Sequence, residues 1–262
     1  MILLNFDIEE FDVPIEYGKY VPFEEQMNVS KSGTIIILDI LKEYNIKATF
    51  FCTVDFALNA LEIMERIINE GHEVSSHGYS HSIFKDSDLA ESKKILETII
   101  GKEIFGFRMP KMQYIDTEKV LAAGYKYNSS INPMYLPGRY NYILKNRTIF
   151  KENGLIQIPS SVVPYLRIPL FWLTFHNISL RLYCWITILT YKKDKYINVY
   201  FHPWEFVEIS DPKYGLPKYI TKNVGVNMIN RFRIYLEKML ESKYTFNTFS
   251  SFLAPITADN ED

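Results

Sequence analysis

Cysteine is scarce in this chain. Only Cys52 and Cys184 occur among 262 residues. That rules out a disulfide framework, makes a thiolate zinc site a poor expectation, and fits a reducing compartment. Excess charge of one sign is also missing, because the formal net charge is -2. Nothing in that balance points to nucleic acid or an acidic polymer as partner. No apolar run is long enough to span a bilayer. The most apolar stretch, Ile168 to Leu189, is interrupted by His176, Asn177 and Arg181. Contact of the aromatic stretch Tyr165 to Tyr191 with a membrane or lipid carrier is therefore a weaker reading than burial against the rest of the fold. The first ten residues, MILLNFDIEE, lack a basic n-region and do not read as a signal peptide, so a cytoplasmic location is expected. No linker rich in Gly, Ser or Pro and no internal repeat divides the chain. One domain over 1–262 is expected, with an irregular insertion or rim at about 133–195.

Hydrophobic residues are abundant, at 47% of the chain, with 19 Tyr, 18 Phe and 3 Trp. That suffices for a large core, which is the default place for most of the aromatics. In the first half, short apolar runs alternate with amphipathic segments. Ile2–Asp7, Ala48–Val54, His72–His77, Gly106–Pro110 and Tyr125–Ser130 read as strands. Between them, a helix beginning near Ser30 or Ser32, and helices over 56–71, 86–101 and 116–124, are expected. In the second half LIQIPSS, YINVYFHP and YTFNTF read as strands and 226–242 as a helix. Repeated strand–helix alternation implies a parallel sheet or an α/β barrel.

Chemistry in such folds gathers at the C-terminal ends of the strands. Each unusual polar group in this sequence lies at such an end. Asp7 and Glu9 follow the first strand, and their i, i+2 spacing turns both to one side. His77 and His81, in SSHGYSH, follow the third. An i, i+4 pair on a helical turn suits a divalent metal, although most HxxxH pairs taken alone are accidental. Arg108 sits between Phe107 and Met109 and either pairs with a carboxylate such as Asp7 or reaches solvent. His202 follows the run VYF and has the character of a general acid or of a bonded core residue. Trp204 either stacks on a sugar or packs, and Glu205 is placed to orient His202 or a ligand. Glu10 and Asp12 read as an acidic, solvated loop. His72 and His176 have no such company and read as structural.

The ordered set NFDIEE, ATFF, GHEVSSHGYSH, GFRMP, YNSSINP, IPSS and FHPWEF resembles the polysaccharide deacetylases, the NodB-type carbohydrate esterases. The FHPWE motif is similar to the branch found in exopolysaccharide and capsule biosynthesis. The resemblance implies a distorted (β/α) barrel of about seven parallel strands. It implies hydrolysis of an N-acetyl group on a hexosamine within a glycan; with the expected cytoplasmic location, a lipid-linked or nucleotide-linked intermediate would fit. By motif, Asp7 would be the base, Arg108 its holder and His202 the catalytic acid. His77 and His81 would hold a divalent metal, zinc or another divalent ion, with Glu9 completing the set. Pro110 and Trp204 would contact the substrate. One departure stands out: Ile8 occupies the position of the common second aspartate, so the metal carboxylate must be Glu9, or Glu10, or absent. Two rival readings follow. One is a metal-independent, allantoinase-like amide hydrolase on the same fold. The other is an inactive carbohydrate-binding relative.

Overall fold

The structure, a computed structural model, describes residues 1–137 and 139–258. Its strands are β1 (Ile2–Ile8), β2 (Thr49–Cys52), β3 (Glu73–Ser76), β4 (Gly106–Phe107), β5 (Tyr127–Asn128), β6 (Tyr135–Leu136), β7 (Tyr140–Asn141), β8 (Phe150–Glu152), β9 (Leu155–Gln157) and β10 (Ile197–Phe201). Eight of them form one sheet in the order β10-β1-β2-β3-β4-β5-β9-β8, while β6 and β7 pair separately. Among the described residues, seven strands of this sheet run parallel and β8 is antiparallel to β9. Helices link successive parallel strands except β5 and β9, which are joined through β6, β7 and β8, so the sequence's alternation becomes a distorted, incompletely closed (β/α) barrel.

Strand β1 shows how the sequence builds the two layers. All seven of its residues are buried, as expected for a strand covered on both faces. Ile2, Leu4, Phe6 and Ile8 pack into the large cluster shared with the helices. Leu3 packs on the opposite side with Phe51 and Tyr127. Period-2 alternation sends Asn5 and Asp7 to that same inner side. Burying each large apolar side chain contributes about 1.5–3 kcal/mol, so β1's register is firmly specified.

The barrel closes without a full ladder. Ser161 donates its N–H to the Asn198 carbonyl at 2.9 Å, and Asn198 donates its own to Ser161 Oγ at 2.8 Å. The Asn198 side-chain amide reaches across to the Ile158 and Pro159 carbonyls at 3.1 and 3.0 Å. A single buried amide thus bridges β10 and the segment following β9.

Several expected elements shift. The helix expected from Ser30 or Ser32 spans Phe23–Glu43 and starts after Pro22, with Glu24 and Glu25 in its first turn. Acidic residues suit a helix N-terminus, so the helix begins there, and Ser30 is buried inside it. The helix expected over 56–71 is two, Val54–Asn59 and Leu61–Asn69, broken at Ala60. The break resets the helical phase. Leu58 and Leu61 are exposed, while Ile63, Met64 and Ile67 face inward. YTFNTF makes only one bridge, Phe246 to Ile2, before the helix Phe249–Ala258 begins. The reason is local: β2 starts opposite Asn5, leaving that side of Ile2 open for a single pair. Segment 133–195 holds the β6–β7 hairpin, the β8–β9 pair, and the helices Trp172–Asn177 and Leu180–Asp194. β9 from this segment is a strand of the barrel itself. No helix among the described residues is long and apolar enough to cross a membrane.

Candidate active site

The ends of β1, β3 and β10 open into one cleft of about 390 Å³ lined by Asp7, Glu9, His77, His81 and His202. One wall is aromatic and apolar, with Phe171, Trp172 and Tyr200; Lys111 and Arg139 are among the charged lining residues. Parallel strands bring residues distant in sequence to a common edge, which is why the cluster forms there.

Glu9, His77 and His81 present ligand atoms that all lie within 4.8 Å of one another. Glu9 Oε2 is 3.0 Å from His77 Nε2 and 3.2 Å from His81 Nε2. The far nitrogen of each ring is engaged. His77 Nδ1 lies 2.8 Å from the Arg108 carbonyl, and His81 Nδ1 lies 2.7 Å from Asp12 Oδ1. A carbonyl can only accept, so His77 carries its proton on Nδ1 and turns the Nε2 lone pair to the cleft. The Asp12 carboxylate directs His81 the same way. Ligating histidines are commonly oriented by such outer partners. Two imidazole nitrogens and a carboxylate, all buried, fit a divalent cation with positions left open. Burial disfavours a charged His81 ring, yet Glu9 and Asp12 outweigh it and push its pKa up to about 9.

The two histidines do not share a helical turn, contrary to expectation. The chain from 77 to 82 is irregular, and Gly78 adopts φ +82°. That left-handed turn is open to glycine at little cost and folds both rings back toward Glu9. Their centroids are 5.8 Å apart.

Asp7 lies beside this group. Arg108 Nη1 donates to Asp7 Oδ1 at 2.6 Å, while Arg108 Nε and Nη2 donate to the Ser129 carbonyl and hydroxyl at 3.0 and 2.9 Å. The guanidinium carbon sits 4.0 Å from the centroid of the Phe51 ring. Arg108 is wholly buried and does not reach solvent. Burial raises the Asp7 carboxyl, but Arg108, His77 and His202 outweigh it and hold it below the usual range. On the far side His202 Nε2 stands 3.9 Å from Asp7 Oδ2, too far for a hydrogen bond. His202 Nδ1 is 3.0 Å from Glu205 Oε1, which also accepts the His202 backbone N–H at 2.5 Å. Burial lowers the His202 pKa, but Glu205, Glu9 and Asp7 together raise it above its ordinary value.

Other expectations change. Pro110 is buried, is absent from the cleft lining, and lies against Gly78, so it shapes the turn. Trp204 borders the cleft but is 1% exposed, stacked on His202 with centroids 5.0 Å apart and edge-on to Trp172 at 5.1 Å. It packs the His202 ring and offers little open face to a sugar. Glu10 and Asp12 are not solvated. Glu10 accepts from the Thr53 and Ser80 hydroxyls at 2.8 and 3.1 Å, and burial raises its pKa. Asp12 holds His81. Ile8 points into the core, so position 8 has no access to the cleft and Glu9 is the carboxylate beside both rings. His176, read as structural, has company: its Nε2 is 2.8 Å from Glu205 Oε2. The only sequence signal for Asp12 was its charge in an acidic run. For His176 there was none, because its partner lies in another segment.

A family model for polysaccharide deacetylase matches residues 20–128. That span contains His77, His81 and Arg108 but neither Asp7, Glu9 nor His202. A peptidoglycan-N-acetylglucosamine deacetylase of Bacillus cereus is 51% identical over 113 residues, covering 42% of this chain and 32% of that protein. The matched segments span 51%, 25% and 32% of the first three curated relatives, so the likeness covers about half of their lengths or less. An inferred polysaccharide deacetylase from Mycobacterium smegmatis superposes with a TM-score of 0.67 at 16% identity, over 99% of this chain and 90% of that one. An allantoinase superposes with a TM-score of 0.64 at 12% identity, over 95% and 87%. The sequence matches support kinship with the polysaccharide deacetylases. The structural matches share the fold, which also hosts a different named activity.

Proposed function

We propose that this chain is a metal-dependent glycan N-deacetylase that hydrolyses the acetyl amide of an N-acetylhexosamine. The carrying observation is Glu9 Oε2 beside both Nε2 atoms of His77 and His81, with each ring's other nitrogen already engaged. Glu9, His77 and His81 would hold the ion, zinc being the first candidate among N/O-ligated divalent metals. A divalent cation there supplies Lewis acidity, acidifying water and polarising an amide carbonyl.

The chain's own groups divide the remaining work. Asp7, kept ionised and oriented by Arg108, takes a proton from the attacking water. The new C–O bond forms as the amide C–N bond breaks. His202, with Nδ1 held by Glu205, gives its Nε2 proton to the leaving nitrogen. Acetate and a free amine result. At 3.9 Å the base and the acid are not hydrogen-bonded to each other, so both remain free to act on one amide. The aromatic wall of Phe171, Trp172 and Tyr200 suits a sugar ring. The exopolysaccharide or capsule branch, a lipid-linked or nucleotide-linked substrate, a cytoplasmic location and a single domain over 1–262 belong to this proposal.

The test is metal content by mass spectrometry, followed by acetate release from N-acetylated glycans. One ion per chain, lost in a His77→Ala/His81→Ala double variant, with chelator-sensitive acetate release, is the expected result. No specific ion in the wild-type protein overturns the proposal. Chelator-resistant amide hydrolysis would favour the allantoinase-like reading, and glycan binding without turnover the inactive one.

A further inference from the structure

His176 sits on the short helix Trp172–Asn177, at 0% exposure. Its Nδ1 is 2.8 Å from the Lys222 backbone carbonyl and its Nε2 is 2.8 Å from Glu205 Oε2. Glu205 is also at 0% exposure. Its other oxygen, Oε1, takes the backbone N–H and Nδ1 of His202.

The proton count follows from these partners. Lys222 contributes a carbonyl, which can only accept, so His176 Nδ1 carries a hydrogen. The contact between Nε2 and Oε2 needs a hydrogen as well. His176 and Glu205 together therefore hold one proton more than a neutral imidazole plus a carboxylate. Imidazole is the stronger base by its reference pKa, ~6.5 against ~4.3 for Glu. Burial also favours a paired over a lone carboxylate. The nearby cation does not compete, because Arg231 gives its Nη2 to the Phe175 and Ile178 carbonyls. The segment after 218 adds the Lys222 carbonyl, the Asn223 amide, which donates to the His176 carbonyl at 2.7 Å, and the Gly225 N–H, which donates to the Glu205 backbone carbonyl at 2.9 Å.

We propose that His176 is a positioning residue, protonated on both ring nitrogens, that neutralises Glu205 and clamps it so that Oε1 fixes His202 with Nδ1–H inward and Nε2 toward the cleft. This deepens the deacetylase reading and rests on it for the task of His202. The proton count stands without it. Position 176 thereby acts two bonds away from the reacting atoms, through Glu205.

The first test is long-range ¹H–¹⁵N NMR of the imidazole nitrogens on the full chain near neutral pH. The chain has five histidines, so the ring signals are few. Both His176 nitrogens should be protonated, and Glu205→Gln should return the ring to a singly protonated form. A singly protonated His176 in the wild-type protein overturns the proposal and needs no variant to fold. The second test follows His202 when neutral. His176→Leu should weaken its preference for the Nδ1–H tautomer and lower kcat roughly tenfold or more, with KM and metal content little changed. His176→Gln, which keeps a donor toward Glu205, should recover part of both. An unchanged His202 tautomer in His176→Leu overturns the positioning role. Absence of acetate release from the wild-type protein would sink the deacetylase reading alone, since the NMR signals still report the clamp.

Discussion

Asp7 is the residue whose surroundings say most about its task. It is buried, bonded to Arg108 on one oxygen and facing His202 with the other. Asp7→Asn keeps the shape but removes the proton acceptor. We expect kcat to fall by about 10²–10⁴ while bound zinc per chain stays the same. Loss of the ion in that variant would instead assign Asp7 to the ligand set. His81 makes a pH-dependent prediction. Without a cation its folded pKa is raised to about 9 from 6.5, whereas ligation needs the neutral ring. At pH 7 an incoming cation must therefore displace a proton. Zinc affinity should rise with pH and level off above about 9, and calorimetry in buffers of different ionisation enthalpy should register the released proton. The same shift stabilises the cation-free fold below pH 6.5, and that contribution is lost as pH climbs through about 9. A cation-free protein whose affinity for zinc is flat between pH 6 and 9 would contradict the assignment.

At the scale of elements, the site depends on one close approach. The helix Phe23–Glu43 packs on the turn Pro203–Phe206, and at Gly33 a side-chain Cβ would overlap the Pro203 carbonyl. Backbone cannot yield there as a flexible side chain could. Gly33→Ala should therefore push away the turn that carries His202 and Trp204. We expect a loss of about 1–3 kcal/mol in stability, read from the thermal midpoint, with kcat falling more than KM rises. A variant as stable and active as the wild type would show that the turn has room. The elements themselves were largely legible as alternating apolar runs and amphipathic helices. Besides the early start of the helix Phe23–Glu43 and the single bridge of YTFNTF, two features were not. The break at Ala60 shifted the buried face of its helix, because hydrophobic periodicity does not report a local change of phase. The His77–His81 turn looked helical by spacing, yet the left-handed Gly78 built it differently.

For the whole molecule, the barrel's interior is a continuous polar chain. Asp7 meets Arg108, Arg108 meets Ser129, and Asn198 donates to Ser129 at 3.2 Å and to two carbonyls beyond β9. Asn5 Nδ2 donates to Asn198 Oδ1 at 2.9 Å. Closure of the barrel and orientation of the candidate base thus share one network. Asn198→Leu would take the Asn198 donor from the buried Pro159 carbonyl and one acceptor from the Asn5 amide, which keeps the Leu3 and Val199 carbonyls. The expected cost is about 3 kcal/mol, measured by urea unfolding, together with reduced activity through Arg108. A loss confined to activity would mean that closure rests elsewhere.

The sequence by itself determined the class of fold, since alternating apolar runs and amphipathic helices must bury two kinds of face. It also marked Asp7, Glu9, His77, His81, Arg108 and His202 as polar residues at strand ends, where parallel strands leave their open edge. Tertiary structure alone decided the partnerships. Which carboxylate faces both histidines follows from Ile8 pointing into the core. Asp12 behind His81, and His176 behind Glu205, are pairings between segments far apart in the chain, whereas Glu205 beside His202 was one of the two readings its position allowed. Side-chain hydrogen bonds are short-ranged and directional, so they exist only once packing has set the distances, and no spacing in one dimension encodes them.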